Sequence, residues 1–274
     1  MRIRIDHSTT YSYDRAARFI IQTLRLTPRT TEGQSVRDWR IETDVDARLR
    51  ESEDAFGNIV HALYTETPTN SLTVRVTGEV TTVDTAGVVR AGREQLSPIV
   101  YLRETPLTKP DKLIAVFASE FKAHPPLERM HRLTSAIHSS VAFEIGVTTP
   151  THTAAEVLAL GRGVCQDHAH VFVSAARSMG VPARYVSGHF LRSDRNDQDA
   201  AHAWAEAWIE DFGWVGFDPA NGVCPTDRYV RVAVGLDYLG AAPVRGTSYG
   251  GGGERLAVKL NVRDADMQQG QQQA

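Results

Sequence analysis

Cys165 opens the stretch "GRGVCQDHAHVFVSAARSMGVPARYVSGH". Gly161 and Gly163 permit tight backbone geometry just ahead of it. Helical spacing follows: Val171, Ala175 and Met179 recur every four residues, with Val173 and Ala176 beside them. Gly180 and Pro182 close the segment. A cysteine in the first turn of a helix meets unpaired backbone N–H groups and the positive end of the dipole, and both favour a thiolate. The plainer reading of a free cysteine is a small buried hydrophobe. The choice between them turns on whether a base and an orienting group are within reach.

His202 lies in the alternating run "AHAWAEAWIEDF", and Asp218 ends "GWVGFDPANG". A hairpin turning at residues 210–213 brings His202 and Asp218 within a couple of residues of register. A carboxylate then holds one imidazole nitrogen while the other faces Cys165. That is the constellation of an activated nucleophile.

The elements that position these residues follow from periodicity. "RIRIDHSTTYSY", "DWRIETDV", "IVHALYTE" and "LTVRVTGEV" alternate with period two, and turn signals at Pro28, Gly33, "DAFGN" and Pro68 separate them. An all-β sandwich or barrel-like unit is expected, with Asp54, Gly57 and Asn58 on turn duty. A weakly patterned link follows. "DKLIAVFASEF" after Pro110, "LERMHRLTSAIHSSV" after Pro126 and "TAAEVLAL" with a Thr153/Glu156 capping box then read as helices. Strands return with "VPARYVSGHFL". The pattern thins after Tyr229 into a glycine-rich run expected to form a flexible flap, and "RLAVKLNVR" is one more strand. The fold class expected is α+β, with helices packed on an antiparallel sheet behind the β unit. The expected units are 1–85 (β domain), 86–110 (linker), 111–250 (catalytic domain), 251–264 (a strand returning to the front domain) and 265–274 (a disordered tail).

The chain of 274 residues carries a formal charge of -3 with scattered arginines, which argues against a nucleic-acid partner. Two cysteines, Cys165 and Cys224, are too few for a disulfide framework. With no apolar signal stretch and no membrane-length apolar run, a cytoplasmic protein without a membrane partner is expected.

Neighbouring residues have competing readings. Cys165, His168 and His170 are zinc-ligand types, but on a helix Cys165 and His170 diverge, so no metal and no cofactor are expected. His168 is a candidate to line the pocket and Asp167 a helix-start support. Trp204 and Trp208 share the His202 face, one as cleft wall and one as core. Cys224 reads as incidental, and Glu206 and His189 have no clear chemical claim.

"GVCQDHAHVFVSAARSMGVPARYVSG", "HAWAEAWI" and "GWVGFDPANG" resemble the three signature blocks of the transglutaminase-like superfamily. "HSTTYSYD", "LRLTPR" and "DAFGNIVHAL" resemble the β domain that precedes the core in bacterial transglutaminase-like cysteine proteins. The resemblance implies a papain-like, transglutaminase-like core with Cys165 as nucleophile, His202 as base and then acid, and Asp218 as orienting residue. It implies cysteine-dependent hydrolysis of a peptide or isopeptide amide through a thioester, on a peptide or protein substrate. Transfer to an amine uses the same residues, and an inactive binding module is the rival of a different class. Eukaryotic members supply an upstream tryptophan as oxyanion donor. Here the only upstream tryptophan is Trp39, inside the β unit, so Tyr101 and Gln166 are the side-chain candidates beside the Cys165 N–H. The front domain is a candidate to recognise substrate, to mediate homo-oligomer formation or to cover a face of the catalytic domain.

Overall fold

The computed structural model describes residues 1–89 and 95–266. Residues 90–94 of the expected linker, and the expected tail from 267 onward, lie outside the described residues. Six strands come first: β1 (Arg2–Ala17), β2 (Phe19–Thr27), β3 (Gln34–Thr43), β4 (Arg48–Glu53), β5 (Ile59–Thr65) and β6 (Thr69–Thr82). After β7 (Val88–Val89) come α1 (Lys112–Ser119), α2 (Pro126–Ser140), β8 (Ala142–Phe143), α3 (Ala154–Leu160), β9 (Arg162–Gly163) and α4 (Cys165–Ser178). Strands β10 (Ala183–Phe190), β11 (Asp197–Gln198), β12 (His202–Ile209), β13 (Gly213–Phe217) and β14 (Tyr229–Gly235) follow. The short helix α5 (Tyr238–Ala241) leads to β15 (Val244–Tyr249) and β16 (Glu254–Asp264).

Two antiparallel sheets, ordered β11-β16-β1-β6-β3 and β15-β2-β5-β4, form a sandwich. Alternation sets the dry face: Ile3, Ile5, His7, Thr9, Tyr11 and Tyr13 of β1 point inward. Tyr11, Leu24, Leu63, Leu72 and Val74 fill the space between the sheets. A third sheet, β14-β10-β12-β13-β7, carries the helices on one face. Its core joins Ile114, Leu133, Val157 and Phe172 of the helices to Ala205 and Phe217 of the sheet. This is the α+β arrangement expected, with a β sandwich in front.

Local signals explain the helix limits. Asp111 caps α1 by accepting the Ile114 N–H at 2.8 Å, and the Thr153/Glu156 box starts α3. Gly161 ends α3 with φ +69°, a conformation that favours glycine.

Some elements depart from the expectation. β2 and β14 are strands that alternation did not reveal. Gln22 occupies a buried position of β2, and β14 is buried on both faces. The expected flap is not free, because β15 pairs with β2 from Val244↔Leu24 to Tyr249↔Phe19. β16 runs antiparallel along β1, from Ile3↔Asp264 to Tyr13↔Glu254.

The sandwich and the third sheet share a core in which Ile3, Ile5 and Val80 meet Tyr185, Ala203 and Val230. Two side-chain amides complete the joint. Asn58 Nδ2 donates to the Val234 carbonyl and its Oδ1 accepts the Val234 N–H, both at 2.8 Å. Gln34 Nε2 donates to the Arg231 carbonyl at 2.8 Å and its Oε1 accepts the Arg231 N–H at 2.9 Å. β14 is an edge strand, so these amides stand where the backbone of a further strand would be. Asn58→Ala leaves both groups of Val234 without these partners and should cost about 2–4 kcal/mol. Urea unfolding reads this, and an unchanged midpoint would contradict the role.

Candidate active site

The start of α4 is clamped before Cys165 is reached. A Cβ on Gly163 would come within 2.6 Å of an Asp167 carboxylate oxygen, so glycine makes room for that side chain. Asp167 Oδ2 accepts the Val164 N–H at 2.8 Å and the Thr148 hydroxyl at 2.6 Å, which closes the helix end from below. Cys165 and Gln166 are the first two helical residues, and their N–H groups have no acceptor within the helix. Both residues line a cavity of about 640 Å³, a volume suited to a peptide-sized group.

β12 and β13 pair Ala205 with Phe217 and Ile209 with Gly213, which sets His202 and Asp218 as diagonal neighbours on one face. His202 Nε2 donates to Asp218 Oδ2 at 2.6 Å. That leaves Nδ1 on the side of Cys165, which shares the cavity wall with His202 and contributes to the raised pKa of the imidazole. Asp218 is wholly buried. Its Oδ2 also accepts from Asn221 Nδ2 at 2.7 Å and the Tyr229 hydroxyl at 2.8 Å, while Oδ1 accepts the N–H groups of Ala220 at 3.0 Å and Asn221 at 3.2 Å. Burial alone would raise the Asp218 pKa, but the charge and hydrogen bond of His202, with the other donors, hold it below the ordinary value. Burial alone would lower that of His202. The Asp218 charge and hydrogen bond, with a contribution from Cys165, outweigh this and push it up to about 10. Three rings fix the imidazole plane: Phe190, Trp204 and Tyr229 have centroids 5.5, 6.1 and 5.9 Å from it.

The structure thus gathers Cys165, His202 and Asp218, with Gln166 on the cavity wall. Three other pocket candidates lie elsewhere. Tyr101 is buried under the third sheet, edge-on to Trp214 at 4.9 Å and beneath Arg184, and does not line the cavity. His168 is turned inward, with Nδ1 and Nε2 each 2.8 Å from the backbone carbonyls of Val164 and Val141. Trp204 backs the imidazole from inside the core and does not border the cavity. His170 accepts the Tyr238 N–H at 3.0 Å and packs on Tyr185.

Asn221, Tyr229 and Tyr185 were not singled out by sequence reasoning. Asn221 had a local signal, since an asparagine three residues past the aspartate in "DPANG" can bend back onto it. Tyr229 reaches Asp218 from an edge strand that carried no pattern. Tyr185 lines the cavity from β10, where it read only as one position in an alternating run.

Residues 116–219 match the transglutaminase-like superfamily, and residues 3–81 match the bacterial transglutaminase-like N-terminal region. An uncharacterised protein of Mycobacterium leprae is 32% identical over 281 residues, covering 95% of this chain and 98% of that one. A stretch of 104 residues is 33% identical to a protein-glutamine gamma-glutamyltransferase of Pseudomonas aeruginosa, covering 32% of this chain and 15% of that enzyme. In fold, the chain is similar to a solved candidate cysteine protease from Cytophaga hutchinsonii, with TM-score 0.78 and 22% identity over 97% of this chain and 92% of that one. Among the described residues no helix is long and apolar enough to cross a membrane. The chain belongs to the transglutaminase-like superfamily and carries the bacterial transglutaminase-like N-terminal region.

Proposed function

We propose that the protein hydrolyses a peptide or isopeptide amide through a thioester on Cys165. The observation that carries this is the meeting, on one cavity, of a thiol at a helix start and an imidazole whose far nitrogen is held by a buried carboxylate. The Cys165 sulfur attacks the amide carbonyl carbon, and the carbonyl oxygen becomes an oxyanion. The N–H groups of Cys165 and Gln166 are placed to receive it. An imidazole raised to about 10 is protonated at neutral pH, so the proton for the leaving nitrogen is already in position. The C–N bond breaks, the amine departs with that proton, and a thioester remains. Water then adds as His202 accepts its proton, the C–S bond breaks, and the carboxylic acid leaves. Asp218 holds the imidazole so that Nδ1 faces the sulfur throughout.

A second reading, transfer to an amine in place of water, is favoured by the stretch shared with the Pseudomonas gamma-glutamyltransferase. Product mass spectrometry separates the two on a library of peptides and isopeptides, with and without a small primary amine. New termini or deamidation are expected, and amine-sized adducts would move the reading to transfer. Cys165→Ala should lower turnover by about 10⁴-fold or more while the protein still folds. Turnover retained in that variant would remove Cys165 from the mechanism.

Asp218→Asn deletes the charge that raises His202. The His202 pKa, read by NMR, should then fall far below about 10, because burial, which lowers it, is left opposed by little besides Cys165. A value that stays put would mean Asp218 does not control the imidazole.

A further inference from the structure

The cavity that holds Cys165 has a wall the chemistry above leaves unused, and it comes from the front sandwich. Thr9 and Tyr11 share one face of β1. Register sets Thr9 opposite Val258 and Tyr11 opposite Leu256 on β16, and all four line the cavity with Cys165. Tyr185 and Tyr238, in edge contact at 6.2 Å, continue this wall toward the thiol and pack in the same cluster as Cys165. Leu256 is 59% exposed, a large aliphatic side chain left open on the cavity side of a strand.

This wall offers little to a charge. Apart from His202 itself, the charged lining residues Arg192, Arg195 and Asp199 belong to the segment joining β10 to β12, and Arg192 is paired with Asp194 at 2.8 Å. His7, the next inward residue of β1, is kept neutral by burial, which pushes it down to about 4. Its Nε2 lies 3.3 Å from the Thr9 hydroxyl, so that hydroxyl is already engaged. A carboxylate or ammonium on this wall would be stripped of water without a counter-charge, and a primary amide would gain less from burial there than an aliphatic or aromatic group of the same size.

We infer that the β1–β16 face of the front domain is the substrate side-chain pocket. It selects a peptide carrying a large uncharged apolar side chain, of leucine or phenylalanine type, beside the reacting carbonyl. The inference rests on the proposed amide chemistry for the position of that carbonyl, but binding tests it without turnover.

The test uses the full chain with Cys165→Ala and five blocked tripeptides, Ac-Ala-Xaa-Ala-NH2, with Xaa Leu, Phe, Gln, Glu or Lys. Calorimetry or NMR titration should show the Leu and Phe peptides binding about tenfold tighter or more than the other three. Leu256→Asp, added on the same background at an exposed position, should erase that preference. Val258→Trp should fill the pocket and weaken the Leu and Phe peptides alone. Equal binding of all five, tighter binding of the Gln or charged peptides, no binding by any, or a preference unchanged by Leu256→Asp would each overturn the inference. Turnover of the same peptides by the wild-type protein, or its absence, speaks to the thiol chemistry instead.

Discussion

A carboxylate taken wholly out of water is the constraint around which the site is organised. Asp218 is buried and remains ionised, so its charge has to be met by donors held in place. The turn after β13 supplies the N–H groups of Ala220 and Asn221, and the Asn221 amide folds back onto the same carboxylate. β14 supplies the Tyr229 hydroxyl, and β12 supplies His202. The donors come from three separate pieces of backbone, so satisfying one charge fixes a turn, an edge strand and an imidazole together. The imidazole in turn has one free nitrogen, and α4 arrives with a thiol to meet it.

The front sandwich takes part in this arrangement. Asn58 and Gln34 pair with the backbone of β14, the strand that carries Tyr229. β11, in the segment leading to His202, pairs with β16 at Asp197↔Asn261 and Gln198↔Leu260. The sandwich is therefore tied to the strand that steadies Asp218 and to the segment that delivers the imidazole. It also walls the cavity through β1 and β16. These contacts make the site a joint product of the sandwich and the third sheet.

The sequence made some of this legible and hid the rest for physical reasons. The β1 alternation, the helix caps at Asp111 and Thr153, and the start of α4 at Cys165 are local features, and the structure has them. His202 and Asp218 were legible as near neighbours because register in a short hairpin is set by nearby residues. Interactions between distant segments were not legible. Asn58 read as a turn residue, and its turn is real, since Asp54 accepts the Asn58 N–H at 3.0 Å. Its bond to Val234 spans 176 positions and leaves no mark in the pattern. Tyr101 misled in the opposite sense. An aromatic residue in a weakly patterned link invited a functional reading, whereas its ring fills space beside Trp214 and Arg184.

Two buried carboxylates on the same sheet show how electrostatics separates support from chemistry. Glu206 is as buried as Asp218, and sequence position gave it no more claim to a role. It is neutralised by Arg184 at 2.6 Å and Arg231 at 2.7 Å, and these guanidiniums outweigh the cost of burial and hold its pKa down to about 2. A guanidinium does not give up its proton in a protein, so that triad can only bind β10, β12 and β14 together. Asp218 is met instead by an imidazole, a side chain that can release and regain a proton near neutral pH. In the proposed chemistry, exchanging the partner at nearly the same burial turns a brace into a proton carrier. The identity of the cation, more than the depth of the carboxylate, marks where chemistry can occur in this sheet.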